Sequence, residues 1–299
     1  MTNQARAISS IVPADAMRVP GPAVFVIRGG KGGVGATQIA ANVAVALSGG
    51  YEDRPANRVL LVDGGRGVGN ATFVLGINEP YDLRHAITGE KSVEEIIYAG
   101  PCGIGVLAAL DGVEDGAAAA VWQRERLRRG LASAAASRDF VLIDTPSGLL
   151  PGWCGPAAAA TAVIVVTTPD AASLAGAYAT IKELFRADSR AAVWLVVNMA
   201  ASRLEAARAF SAVAGVAQRF LGAAVRYLGW VPAEVCVLQA SRRRVPFVRE
   251  YAGYSAARAV EAIAQKLMQA RSGQFSAVPS AVGVENRNTI GRRAARAGL

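Results

Sequence analysis

Short β-branched runs alternate along this chain with longer alanine-rich stretches in which apolar residues return every three or four positions. The runs are 23–27 (AVFVI), 58–63 (RVLLVD), 104–108 (IGVLA), 139–144 (DFVLID), 162–167 (AVIVVT), 193–198 (VWLVVN) and 225–229 (VRYLG). Most are apolar at successive positions, not at every second one, which is how strands buried on both faces read. The stretches 36–48, 119–137, 173–186, 203–220 and 255–270 have helical spacing. This alternation predicts an α/β fold, a doubly wound and mainly parallel sheet with helices on both faces. No linker interrupts the pattern between 23 and 270, so one domain is expected there. Residues 1–22 form a polar, proline-marked lead expected to be flexible. Residues 271–299 lose the periodicity and set Arg271, Arg287, Arg292, Arg293 and Arg296 against Glu285, which predicts a basic, disordered tail.

Composition narrows the function classes. A chain that is 52% hydrophobic and 18% charged is not mainly disordered. The formal charge of +9 admits nucleic acid or an anionic membrane as a partner, although an alanine- and arginine-heavy composition also arises from a GC-rich genome. Cys102, Cys154 and Cys236 are far apart, with His85 the single histidine, so neither a disulfide framework nor a zinc site is expected. Arg6, Asp15 and Arg18 break the apolar core that a secretion signal needs, and no run reaches the roughly 18 apolar residues of a membrane span. A cytoplasmic protein, at most peripheral to a membrane, is expected.

The densest chemical signal follows the first strand. Gly29-Gly30-Lys31-Gly32-Gly33-Val34-Gly35-Ala36-Thr37-Gln38 leads into a helix and carries five glycines between positions 29 and 35. Strand, glycine loop and helix together form the setting in which backbone N–H groups and the helix dipole cradle phosphates, whereas glycines alone also suit a plain tight turn. Gly30 and Gly35 have the spacing of GxxxxGK[ST], with Thr37 in the hydroxyl position. Ala36 stands where the lysine is expected, and Lys31 lies early in the loop instead.

KGGVG after a first strand resembles the deviant Walker A motif of the MinD/ParA group of P-loop ATPases. RVLLVDGGRGVGNATFVLG (58–76) resembles that group's switch I segment, DFVLIDTPSGL (139–149) its Walker B strand and switch II, and VVTTPDAASLAGAYATIKEL (165–184) the next strand and helix. The stretch 196–232, followed by Arg244-Val245-Pro246-Phe247, is most similar to the FlhG/FleN proteins, MinD-like regulators of flagellar number and placement. The resemblance covers about 23–270.

It implies ATP or ADP with Mg²⁺ as ligands. Gly30, Lys31, Gly32, Gly33, Val34, Gly35, Ala36, Thr37 and Gln38 would form the nucleotide loop, and Thr37 and Asp144 would hold the metal. Asn198 would read adenine, and Lys31 would reach the partner's phosphates in a nucleotide-dependent homodimer. Read without the family, Asp144 also suits a turn cap, Asn198 a loop brace and Lys31 a solvated loop lysine.

Two departures bear on catalysis. Ala36 removes the charge that spans the β- and γ-phosphates, and Gly65 replaces the second acid of a DxD pair that keeps only Asp63. Lys31 and Asp63 are then the remaining catalytic candidates, and weak or absent hydrolysis is expected. Gly176 stands where FlhG/FleN proteins usually carry Asp. Asn3-Gln4-Ala5-Arg6 faintly resembles the segment through which FlhG proteins act on the GTPase FlhF, and the C-terminal arginines suit acidic lipid or merely solvent. The leading expectation is a flagellar regulator that acts by binding partners. A slow ATPase relying on Lys31, a pilus-assembly localisation protein of the CpaE/TadZ type and a ParA-like DNA carrier are the alternatives, with specific nucleic-acid recognition not expected.

Overall fold

The structure, a computed structural model, describes residues 21–49, 57–64, 71–78, 80–108, 121–145 and 160–274. Eight strands form one sheet: β1 (Ala23–Gly29), β2 (Val59–Asp63), β3 (Ile97–Ala99), β4 (Gly105–Leu107), β5 (Phe140–Thr145), β6 (Ala162–Thr167), β7 (Val193–Ala200) and β8 (Val225–Pro232). Their order is β3-β4-β2-β5-β1-β6-β7-β8. Every pairing is parallel except β3 with β4.

The continuous apolar runs have the burial they predict. Every residue of β1, β2, β5 and β6 is buried. In β1, Val24 and Val26 enter one core layer and Ala23, Phe25 and Ile27 the other. The helices that cover the sheet are α1 (Ala36–Leu47), α2 (Ala71–Val74), α3 (Leu83–Thr88), α4 (Val121–Ala136), α5 (Ala171–Ala187), α6 (Arg203–Leu221), α7 (Val235–Arg243), α8 (Phe247–Glu250) and α9 (Ser255–Arg271). Residues of α3, α4, α5 and α6 fill one layer, and those of α1, α2, α8 and α9 fill the other. The sheet is therefore wound on both sides, as the alternation requires.

All seven expected runs contain a strand, and five long helices lie where helical spacing places them. β3 and the short helices α2, α3, α7 and α8 were not foreseen, because three to nine residues give too little periodicity to register. At the edge of the sheet where strands begin, one residue joins both ends of the described fold. The Asp139 carbonyl accepts from Ala23 N at 3.0 Å, and its carboxylate accepts from Arg271 at 2.8 Å. The expected lead and tail lie outside the described residues, except for positions 21–22 and 271–274.

Candidate nucleotide site

The glycine loop leaves the carboxyl end of β1, close to the middle of the sheet, and Gly30 N donates to Val166 O of β6 at 2.9 Å. Gly33 and Gly35 have φ of 82° and 80°, the left-handed region in which a Cβ is strained. Around Gly32 and Gly33 there is open space on the side where a Cβ would stand, so the middle of the loop faces a cleft. Gly35 is the N-cap of α1 and has no side chain to cap it, so the first amides of that helix have no side-chain cap of their own, the condition under which a helix N-terminus can receive an anion.

Two close approaches fix this loop. A Cβ on Gly30 would stand 2.6 Å from Ala177 N, and one on Gly176 would run into the Gly30 carbonyl. Glycine at 176 therefore has a packing reason: α5 lies directly on the loop. On the other side, Asn198 Nδ2 donates to Val34 O at 2.9 Å. A Cβ on Gly35 would stand 2.5 Å from that same Nδ2. In this structure Asn198 therefore braces the loop, the reading its residue type allows without the family. The next residue, Met199, has φ of 56° and is half exposed at the cleft.

Thr37 and Asp144 meet as expected. Asp144 ends the buried run of β5 and is 2% exposed, and the Thr37 hydroxyl donates to it. Burial pushes its carboxyl up to about 6, and the Thr37 hydrogen bond only partly opposes this. Asp63 is the direct parallel-register neighbour of Asp144 on β2, is fully buried, and accepts from Ala71 N at 2.7 Å. A buried carboxylate bonded to a hydroxyl beside a helix N-terminus is a hard oxygen donor set, which fits Mg²⁺. Thr37 and Asp144 are the residues that would hold it.

Ala36, the first residue of α1, is half buried and brings only a methyl group. Lys31 Nζ lies 3.2 Å from Asp170 Oδ1 in the same chain. Gln38 Nε2 donates to Ser241 Oγ of α7 at 3.2 Å, which ties the loop helix to α7. Gly65 lies outside the described residues.

Sequence reasoning did not single out Asp170. It caps α5 by accepting from Ser173 N at 3.0 Å and Ser173 Oγ at 2.6 Å, and it also accepts from Thr168 Oγ1 at 2.5 Å. Those Ser173 and Thr168 bonds hold its carboxyl well below the usual carboxylate range. The pattern Asp170-x-x-Ser173 before an alanine-rich segment was the available signal. Lys31, Gly32, Gly33, Thr168, Asp170 and Met199 line a cleft of about 580 Å³ beside the loop.

Comparison with known proteins agrees with this geometry. Residues 23–192 match the AAA_31 family of AAA domains. The chain is similar to the antiactivator FleN of Pseudomonas aeruginosa, 28% identical over 244 residues that cover 82% of this chain and 85% of FleN. It is also similar to the flagellum site-determining protein YlxH of Helicobacter pylori, 28% identical over 244 residues, 77% of this chain and 78% of YlxH. Its fold matches the septum site-determining protein MinD of Pyrococcus horikoshii in complex with Mg-ADP, with a TM-score of 0.66 and 21% identity over 86% of this chain and all of that one. With the family match extending over more than half its length, the chain belongs to the AAA_31 family of AAA domains, as a P-loop protein of the MinD/ParA type.

Proposed function

We propose that this protein is a nucleotide-binding regulator of flagellar number or placement that acts by binding partners and hydrolyses ATP weakly or not at all. The observation that carries this reading is the pairing of an intact Thr37–Asp144 contact with Ala36 at the head of α1. The phosphate loop and a metal-holding pair are kept. The side-chain cation that would meet the charge developed in phosphoryl transfer is missing. A bound Mg²⁺ would neutralise phosphate charge, and the loop amides of Gly32–Gly35 would orient the phosphates.

The flagellar assignment rests on the similarity to FleN and YlxH. An antiactivator acts on another protein, which suits an output made by contact and not by product. A homodimer formed with nucleotide, a GTPase of the FlhF kind and peripheral contact with a membrane belong to the same reading, as does a cytoplasmic location. Among the described residues no helix is long and apolar enough to cross a membrane.

The rival reading is a slow ATPase in which Lys31 supplies the missing charge, and the contact of Lys31 with Asp170 in its own chain weighs against it. Turnover and binding of ATP and ADP with Mg²⁺, measured on the wild type and on Ala36→Lys, test the choice. Binding with turnover that rises strongly in Ala36→Lys supports the regulator. Ordinary family turnover in the wild type, abolished by Asp144→Ala, overturns it.

A further inference from the structure

Resting on the nucleotide-binding reading above, we infer that Asp170 is a positioning residue that restrains phosphate binding: it holds Lys31 to the wall of the cleft, and a nucleotide has to take the lysine from it. Lys31 Nζ lies 3.2 Å from Asp170 Oδ1, with both side chains about half exposed. The two residues line the same cleft as Gly32 and Gly33, and beside those glycines the space a Cβ would need is open. An anion that enters the cleft to reach the loop amides therefore meets the Lys31 ammonium there. That ammonium sits on a flexible four-carbon stem and can turn towards it.

The two ends of this ion pair differ in freedom. Asp170 Oδ1 also accepts from Ser173 N at 3.0 Å, and its Oδ2 accepts from Ser173 Oγ at 2.6 Å and Thr168 Oγ1 at 2.5 Å. These bonds keep the carboxylate ionised and fix it to the head of α5. Helix α5 in turn lies against the glycine loop, where a Cβ on Gly30 would stand 2.6 Å from Ala177 N. The carboxylate is therefore unable to follow the lysine when it turns. Glu205, the other carboxylate lining the cleft, is engaged with Ala201 N at 2.6 Å. Among the described residues Asp170 is thus the ion-pair partner that Lys31 has. Asp170 and a phosphate compete for one ammonium, and whatever the pair contributes is subtracted from nucleotide affinity.

An exposed ion pair of this kind is worth up to about 5-fold in an equilibrium constant, which sets the size of the restraint. The test is calorimetric titration of full-length protein with Mg-ADP at pH 7.5, in a cycle of wild type, Asp170→Asn, Lys31→Met and the double variant, with thermal melts to confirm folding. Asparagine serves as an N-cap as well as aspartate does, so the variant keeps the start of α5. Asp170→Asn should tighten Mg-ADP by about 5-fold while Lys31 is present, and by less than about 2-fold in the Lys31→Met background. A merely structural role for Asp170 would not tighten binding at all. Equal tightening in both backgrounds would mean only that a negative charge has left the cleft, and it overturns the inference while nucleotide binding stands. Unchanged or weaker binding by Asp170→Asn overturns it as well. Absence of binding by all four proteins at millimolar Mg-ADP overturns the nucleotide reading and the inference with it.

Discussion

Asn198 at the end of β7 holds the Val34 carbonyl at 2.9 Å, and the same amide nitrogen occupies the space a Cβ on Gly35 would need. One side chain thus fixes both the curvature of the loop and the identity of the residue before α1. Gly35→Ala combines a left-handed backbone, costing about 1–2 kcal/mol for an L-residue, with a direct clash. Asn198→Ala leaves a buried carbonyl without its donor, at a cost of about 1–3 kcal/mol. Urea unfolding should show both losses, with Gly35→Ala the larger. If either variant were as stable as the wild type, Asn198 would not be a brace.

Asp144 gives a pH signature. Its folded-state carboxyl titrates near 6 against an ordinary value of 3.8, so the ionised form is penalised in the folded protein. Above about pH 6 that penalty is fully present, on the order of 3 kcal/mol, and it fades as pH falls towards 3.8 because the folded state takes up the proton first. Asp144→Asn should therefore stabilise the nucleotide-free protein at pH 7.5 by up to about 3 kcal/mol and by almost nothing near pH 4. Unfolding free energies across that range decide it, and a gain that does not shrink with acid would place the penalty elsewhere.

A glycine inside a helix normally costs about 1 kcal/mol relative to alanine, so Gly176→Ala in α5 would ordinarily stabilise. Here the added methyl meets the Gly30 carbonyl, and the expected result is destabilisation by about 1–3 kcal/mol with looser nucleotide binding. Gly176→Asp, with a larger and charged side chain against the same carbonyl, should be worse. Thermal melts that rise for Gly176→Ala would refute the close approach.

Arg28 is 2% exposed, and among the described residues its Nε and Nη2 have no hydrogen-bond partner and its one charge partner is Glu183, 3.8 Å away. Burial lowers the guanidinium's basicity, against which Glu183 acts only partly. A buried charge so poorly compensated is often worth less than an apolar side chain of similar size, by about 1–4 kcal/mol. Arg28→Met should raise stability in chemical denaturation. A loss would mean that the guanidinium makes a contact essential to the fold.

The central sheet was legible because strands buried on both faces must be continuously apolar, as VLLVD at 59–63 and AVIVVT at 162–167 are. The loop was legible because a phosphate cradle demands glycines at fixed spacing. What escaped depends on distance in space. Nothing local to Asn198 reveals that its amide would be spent on Val34, 164 residues earlier. Nor does Gly176 reveal by itself that the Gly30 carbonyl would lie against it. Asp170 escaped because a helix cap and a partner for Lys31 draw on the same carboxylate, and only the folded chain brings the two together.

Asp139 receives both Ala23 and Arg271, so the two ends of the described fold meet on the rim where strands begin, while the glycine loop sits on the rim where they end. Seven residues of β1 separate the rims by about 20 Å. A fluorophore attached directly at position 21 or 274, the ends of the described fold, would therefore start on the rim opposite the phosphate cradle. Joining the two ends to each other and opening the chain elsewhere should preserve the cradle as well.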